Sequence, residues 1–349
     1  MRNWRGRMSI KIVVCSDFDA ISEQAAGFVS GRISAGRSGE GSGFVMGLAT
    51  GNSPTGMYKH LAKAANAGVF DPSKVRSFNL DEYVGLPGCN PQERATHPES
   101  YSYFMIQEFF GLLARKFASA RVPAGTIIDQ AILDQNLELC HREWREVGSG
   151  KGRAIVISES ADGYLGWIRD NVLHDYDRQI SAAGGIDLQV IGVGGKGHVA
   201  FHEAGIGFEG SRMLLVRLDD NTVANAVRDG HFASADDCPH FAVSMGAELV
   251  FQARTVVLLA DGPRKVEPVM SALLGPVTPD VPLSFCQEYS ARGGELVCFV
   301  DAVVGAGILE QRDMLLERGW QVIDRSSESA IVPVRDLRFS RDPLTGRFC

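Results

Sequence analysis

Short apolar runs alternate with stretches of helical spacing along most of the chain. Residues 11–15 (KIVVC) form a β-branched run, and residues 20–29 follow it with apolar positions at helical intervals. A stretch rich in Gly, Ser and Arg (31–43) separates these from residues 44–49 (FVMGLA), a short apolar run that reads as a buried strand. Residues 50–56 are a loop of turn formers, and 55–67 are expected to be helical. Ser53 would be the N-cap there and Pro54 the first helical residue, where its missing N–H costs nothing. Residues 75–80 read as another strand, ending at Asp81.

Farther along, residues 88–96 are polar and turn-rich, as in a surface loop, and 101–118 predict an aromatic-rich helix. The signals between 121 and 163 are mixed, with a helix expected around 136–147 and a short apolar run at 154–158. Residues 186–193 (IDLQVIGV) and 255–260 (TVVLLA) are buried-strand patterns; 264–274 suit a helix and 295–300 a further strand. Strands alternating with helices imply βαβ units, hence an α/β fold with a mostly parallel sheet. No internal repeat is visible. From Arg325 onward the chain is polar, charged and Pro-containing, as expected of an extension draped over the body or partly disordered.

Composition narrows the function classes. The 349 residues allow two domains or one large α/β domain. With 45% apolar and 22% charged residues, the chain has a globular rather than disordered composition. A net charge of -7 (35 Lys+Arg against 42 Asp+Glu) argues against a dedicated nucleic-acid binder. It leaves room for an anionic small molecule, which needs only a local positive pocket. The seven cysteines are scattered, odd in number and without a C-x-x-C pair, so neither a zinc site nor a disulfide framework is expected. The leader MRNWRGRM is basic but has no apolar segment behind it, unlike a signal peptide, and Met8 is an alternative start. No apolar run is long enough for a membrane span. A cytoplasmic protein without nucleic-acid or membrane partners is expected.

Several polar clusters follow the expected strands, where open parallel sheets place ligand sites. In Thr50-Gly51-Asn52-Ser53-Pro54-Thr55, glycine permits close backbone approach, and hydroxyls and first-turn N–H groups are donors for phosphate; a plain strand-to-helix turn reads equally well. Asp81, followed by Glu82, could take a proton from carbon next to a carbonyl, although an Asp-Glu pair is more often a solvated loop charge. His97-Pro-Glu-Ser-Tyr101 could close over a site, or simply start the next helix, which is the preferred reading. Gly192, Gly194 and Gly197 match G-x-G-x-x-G, but no amphipathic helix opens after them. A glycine-rich turn presenting His198 and Glu203 to a pocket fits better, since a carboxylate near an imidazole suits acid–base work. His202 reads as a structural histidine. Arg228 and Lys265 could clamp a phosphate, or be solvated surface charges.

Together these segments resemble the glucosamine-6-phosphate deaminase/isomerase family. The resemblance is carried by LATGNSPTGMYKHL (48–61), FNLDEYVGL (78–86), HPESYSYFM (97–105), IGVGGKGHVAFHE (191–203) and the segment ending at Lys265, in the family's order and rough spacing. It implies a Rossmann-like three-layer sandwich over residues 10–325, with insertions near 87–96 and 121–163, a leader over 1–9 and a C-terminal extension over 326–349. It also implies cofactor-free conversion of glucosamine 6-phosphate to fructose 6-phosphate and ammonia. His198, oriented by Glu203, would assist ring opening, and Asp81 would move a proton from C2 to C1. Thr50, Gly51, Asn52, Ser53, Thr55, Lys265 and Arg228 would hold the phosphate, Arg228 being offset by one residue from the family's position.

The departures matter. Lys196 stands where the family has Asp or Asn before Gly-His, and would lower the His198 pKa if the two lie within about 4–6 Å. Alternatively it points to solvent. His202 replaces an Asn and Ala204 a Pro, and residues 205–217 lack the basic pair of the family's allosteric members, so no such activation is expected. A homo-oligomer stays open, since the insertions could block a shared interface. The alternatives are a related phosphosugar isomerase or a 6-phosphogluconolactonase-like hydrolase, a non-catalytic phosphosugar-binding protein, and a dinucleotide-dependent oxidoreductase.

Overall fold

The computed structural model describes residues 9–36 and 43–340. In chain order its strands begin with β1 (Ser9–Cys15), β2 (Phe44–Leu48), β3 (Val75–Asn79), β4 (Asp81–Val84) and β5 (Ser119–Arg121). Then come β6 (Trp144–Val147), β7 (Arg153–Ile157), β8 (Leu188–Ile191) and β9 (Met213–Arg217). The last are β10 (Phe241–Met245), β11 (Thr255–Ala260), β12 (Glu295–Val300) and β13 (Gln321–Arg325).

Eight strands form one sheet in the order β13-β1-β12-β11-β8-β2-β3-β5, every pairing parallel. β2 and β11 are buried along their whole length, as a sheet covered on both faces requires. From β2 the chain winds outward through β3 to β5; from β8 it winds the other way through β11 to β12. Strand order therefore reverses between β2 and β8, and a crevice opens there at the carboxyl ends of the strands.

The sequence reading did not anticipate a second sheet. It is antiparallel, ordered β4-β10-β9-β7-β6, and the mixed region between 121 and 163 supplies two of its strands. β4 starts two residues after β3 ends, and Met245 N–H donates to Leu80 O (2.7 Å), so the sheets meet beside Asp81.

Four local expectations are corrected. The helix Thr55–Asn66 is preceded by Pro54, already in helical conformation, and Ser53 does not cap it; its hydroxyl donates instead to Asp261 Oδ1 (2.8 Å). The loop expected at 88–96 holds a short helix, Pro91–Ala95, capped by Asn90. The helix expected over 101–118 stops at Glu108, where Phe109 leaves helical geometry (φ -141°, ψ -65°) and buries its ring against Tyr58 and Phe117. The helix expected over 136–147 is Gln130–Leu139, and the chain turns back as β6 once Trp144 Nε1–H donates to Leu137 O (2.9 Å).

The leader expected over 1–9 lies outside the described residues apart from Ser9, which opens β1. The described part of the tail lies against the first helix, Phe18–Ala35. The N–H groups of Ile331 and Val332 donate to Glu23 (2.8 and 3.1 Å), and that of Val334 to Asp19 (3.0 Å). Among the described residues, no helix is long and apolar enough to cross a membrane.

Candidate active site

The crevice between β2 and β8 is a cleft with two lobes. The inner lobe, about 180 Å³, is lined by Asp81, Thr50 and Ala200, and the outer, about 500 Å³, by Arg228, Asp229 and Arg264. Gly51, Asn52, Ser53, His198 and Lys265 border both lobes. The loops after β2, β3, β8 and β11 thus deliver their predicted residues to one place. Thr55 is not on the cleft wall; its hydroxyl donates to Asn52 O (2.8 Å) as the helix begins.

Asp81 opens β4 and is 5% exposed, with Oδ1 buried and without a hydrogen-bond partner. Burial first, then the neighbouring Glu82, pushes its carboxyl well above the usual carboxylate range, while a hydrogen bond with Thr50 pulls the other way. Glu82 is no solvated loop charge. Its carboxylate accepts from Ser100 Oγ (2.8 Å) and from the N–H groups of Tyr101 and Ser102 (both 3.0 Å), closing the N-terminus of the helix Tyr101–Glu108. This explains why the two motifs belong together: Glu82 ties the 97–101 segment to the strand carrying Asp81. Tyr101, brought in by that tie, stacks on Phe201 (centroids 5.9 Å, planes 6° apart), and both rings wall the cleft.

After β8 the chain makes a tight turn at Gly195–Gly197 and becomes extended at His198. No helix follows, so the strand–turn–helix context of a dinucleotide fingerprint is missing. Gly194 is required here, because a Cβ on it would sit 1.7 Å from His198 Nε2. His198 Nδ1 lies 3.6 Å from Glu203 Oε2. Burial lowers the imidazole pKa; Lys265 and Lys196 act in the same direction, whereas Glu203 and Asp219 oppose them. The ring is therefore neutral near pH 7 and able to accept a proton. Behind it, His202 is structural: Ala247 N–H donates to Nδ1 (3.0 Å), leaving Nε2–H for Ile206 O (2.9 Å). Burial drives its pKa down to about 4.

The cations divide by lobe. Lys265 Nζ donates to Val193 O (2.6 Å), and burial lowers its pKa, partly offset by Asp261. Arg228 lies on the outer lobe and is more than half exposed, donating to Asn225 Oδ1 (2.5 Å). Arg264, which the sequence did not single out, reaches Asp229 Oδ1 (2.8 Å) on the same wall. Lys196 does not line the cleft; its Nζ lies 3.5 Å from Asp219 Oδ2. Tyr101 lies in the 97–101 segment that could close over a site, although a plain helix start is the preferred reading from sequence. Asp219 and Thr222 escaped sequence reasoning because their contacts with Glu203 and Lys196 arise only across loops. Among the described residues, no group of three or more His, Cys, Asp or Glu could hold a metal. The arrangement joins a buried carboxylate with an unpartnered oxygen, a neutral imidazole and a lysine on the same cleft as the Gly51–Ser53 loop. It can abstract and return protons on an anion-anchored substrate.

No family model matches the chain. Curated relatives do. A glucosamine-6-phosphate deaminase of Clostridium acetobutylicum is 34% identical over 281 residues, covering 80% of this chain and 94% of the relative. One of Clostridium botulinum (strain Alaska E43 / Type E3) is 32% identical over 279 residues, covering 80% and 90%. Among solved structures, a monomeric glucosamine-6-phosphate deaminase superposes with a TM-score of 0.62 at 24% identity, covering 85% of this chain and 99% of its own. The 6-phosphogluconolactonase of Trypanosoma brucei superposes at 0.56 and 15% identity, covering 86% and 99%. Both structures share the fold.

Proposed function

The chain belongs to the glucosamine-6-phosphate deaminase family, and on that premise we propose that it converts an amino-sugar 6-phosphate, glucosamine 6-phosphate foremost, to the ketose 6-phosphate and ammonia. The observation that carries this reading is the free Oδ1 of Asp81, buried in the same cleft as His198 and Lys265.

In this reading the phosphate sits against the backbone of Gly51–Ser53 with Lys265 as counter-ion, and Arg228 contributes from the outer lobe. Neutral His198 takes the proton of the C1 hydroxyl and passes it to the ring oxygen as the bond between C1 and that oxygen breaks and C1 becomes a carbonyl. As the C1 oxygen takes a proton from the substrate's C2 ammonium, the C2–H electron pair forms a C1–C2 double bond and ionised Asp81 keeps the C2 proton. Return of that proton to C1 leaves a C2 iminium, which adds water and expels ammonia. A raised pKa makes Asp81 a stronger base than an ordinary carboxylate, which suits the weak acidity of a C–H bond. The phosphate supplies positioning energy remote from the reacting carbons.

The test is an ammonia-detecting assay across glucosamine, galactosamine and N-acetylated 6-phosphates, with 6-phosphogluconolactone as comparator. Ammonia from an amino-sugar phosphate supports the reading. Turnover of the lactone without ammonia from any of the others contradicts it in favour of the hydrolase.

A further inference from the structure

Lys196 and Asp219 do not line the cleft, yet a chain of their contacts leads to His198. Lys196 occupies a left-handed conformation (φ 57°, ψ 17°) two residues before His198, which few non-glycine residues adopt. Its ammonium, on a half-exposed side chain, is directed at Asp219, whose side chain is 4% exposed. Asp219 in turn opens the helix Asp220–Arg228. Its Oδ1 accepts from Asn221 N–H (2.8 Å), and its Oδ2 accepts from Gly152 N–H (3.4 Å). Its own N–H donates to Glu203 Oε1 (3.2 Å), and one turn on Thr222 Oγ1–H donates to the same oxygen (2.6 Å). Both donors fall on Oε1, which leaves Oε2 facing His198 Nδ1.

These contacts close a ring: His198 to Glu203, Glu203 to the first turn of the helix, Asp219 to Lys196, and Lys196 back along the chain to His198. We propose that the Lys196–Asp219 ion pair is a positioning device that ties the Gly195–Gly197 turn to the helix holding Glu203, and so fixes the imidazole of His198 in the cleft. The inference deepens the deaminase reading and rests on it for the turnover readout only. The pair suits the task because Asp219 stays ionised. Burial pushes its carboxyl up, but the Asn221 and Gly152 N–H groups and Lys196 outweigh burial and hold it below the usual range. An acid placed at position 196 would face a buried carboxylate already there, so Lys196→Asp is a loss here.

The charged groups acting on His198 are Glu203, Asp219, Lys196 and Lys265, and His202 is coupled to it. The experiment compares Lys196→Met, Asp219→Asn, the double variant, Lys196→Asp and Lys196→Arg by steady-state kinetics. The His198 titration is followed by NMR on the ligand-free protein, its resonance assigned by its loss in His198→Asn. Lys196→Met and Asp219→Asn each lower kcat on the order of tenfold to a hundredfold with KM little changed, as for a displaced catalytic group. The double variant is no worse than the poorer single one, as for residues acting as a unit. Lys196→Asp is at least as damaged as Lys196→Met, whereas Lys196→Arg recovers part of the loss.

The His198 midpoint moves up in Lys196→Met and down in Asp219→Asn, since a cation and an anion respectively are removed. The opposite shifts report that both charges act on His198, and a non-additive loss in kcat at constant KM is what separates positioning from a general loss of structure. Additive losses in kcat, a Lys196→Asp variant as active as the parent, or a His198 midpoint that ignores both substitutions would overturn the proposal. If the parent protein releases no ammonia from any substrate, the deaminase reading fails by itself, and the NMR shifts still decide the pairing.

Discussion

Asp81 and Glu82 are adjacent carboxylates with different fates, and the difference comes from hydrogen bonding. Glu82 accepts from four groups at the start of one helix, whereas Asp81, on the cleft wall, has a buried Oδ1 without a partner. On the proposed mechanism Asp81→Asn keeps the shape and removes the base, so kcat falls about 10²- to 10⁴-fold with KM little changed. Because the ionised form is required and burial raises its pKa, activity is lost as pH falls, with an acid limb above the ordinary Asp value of about 4. A pH–rate profile flat down to that value would contradict the role. With Lys265 as the proposed counter-ion, Lys265→Ala removes a charge-assisted contact to the phosphate, so KM rises about 10- to 100-fold with the smaller effect on kcat. Asp81, His198 and Lys265 were legible in the sequence because each directly follows a readable strand. Asp219 was not, since its place beside Lys196 is set by the pairing of β9 in a sheet the sequence did not announce.

The buried parallel strands, β2, β8 and β11, were legible because a sheet covered on both faces demands unbroken apolar runs. Helix ends were less so. Residues 109–118 carry a helix-compatible apolar pattern, yet Phe109 is fully buried by leaving the helix, and tertiary packing outweighs weak local propensity. In the same way, the polar 88–96 segment hides a one-turn helix whose capping residue, Asn90, serves equally as a turn former. The glycine turn after β8 makes a sharp demand on its sequence. Gly194→Ala puts a methyl where the His198 ring lies, so the ring must move, and kcat drops on the order of a hundredfold while the fold persists. An unchanged kcat in a normally folded Gly194→Ala protein would show that the ring does not need its present position.

At the scale of the molecule, we propose that residues 10–325 form one α/β unit despite having two sheets. Asp81 opens the smaller sheet, His198 and Lys265 follow strands of the larger, and the cleft needs both. A single calorimetric unfolding transition is expected; two separated transitions would instead make the smaller sheet an independent domain. The acidic net charge gave no hint of the site, whose cations are gathered locally at Lys265, Arg228 and Arg264 against an otherwise acidic chain. Most direct for the central claim is the stoichiometry of products from glucosamine 6-phosphate with the purified protein. Ammonia and fructose 6-phosphate released one for one, and lost together in Asp81→Asn, is the expected result. Ketose formed without ammonia, or equal release by the Asp81→Asn protein, would contradict it.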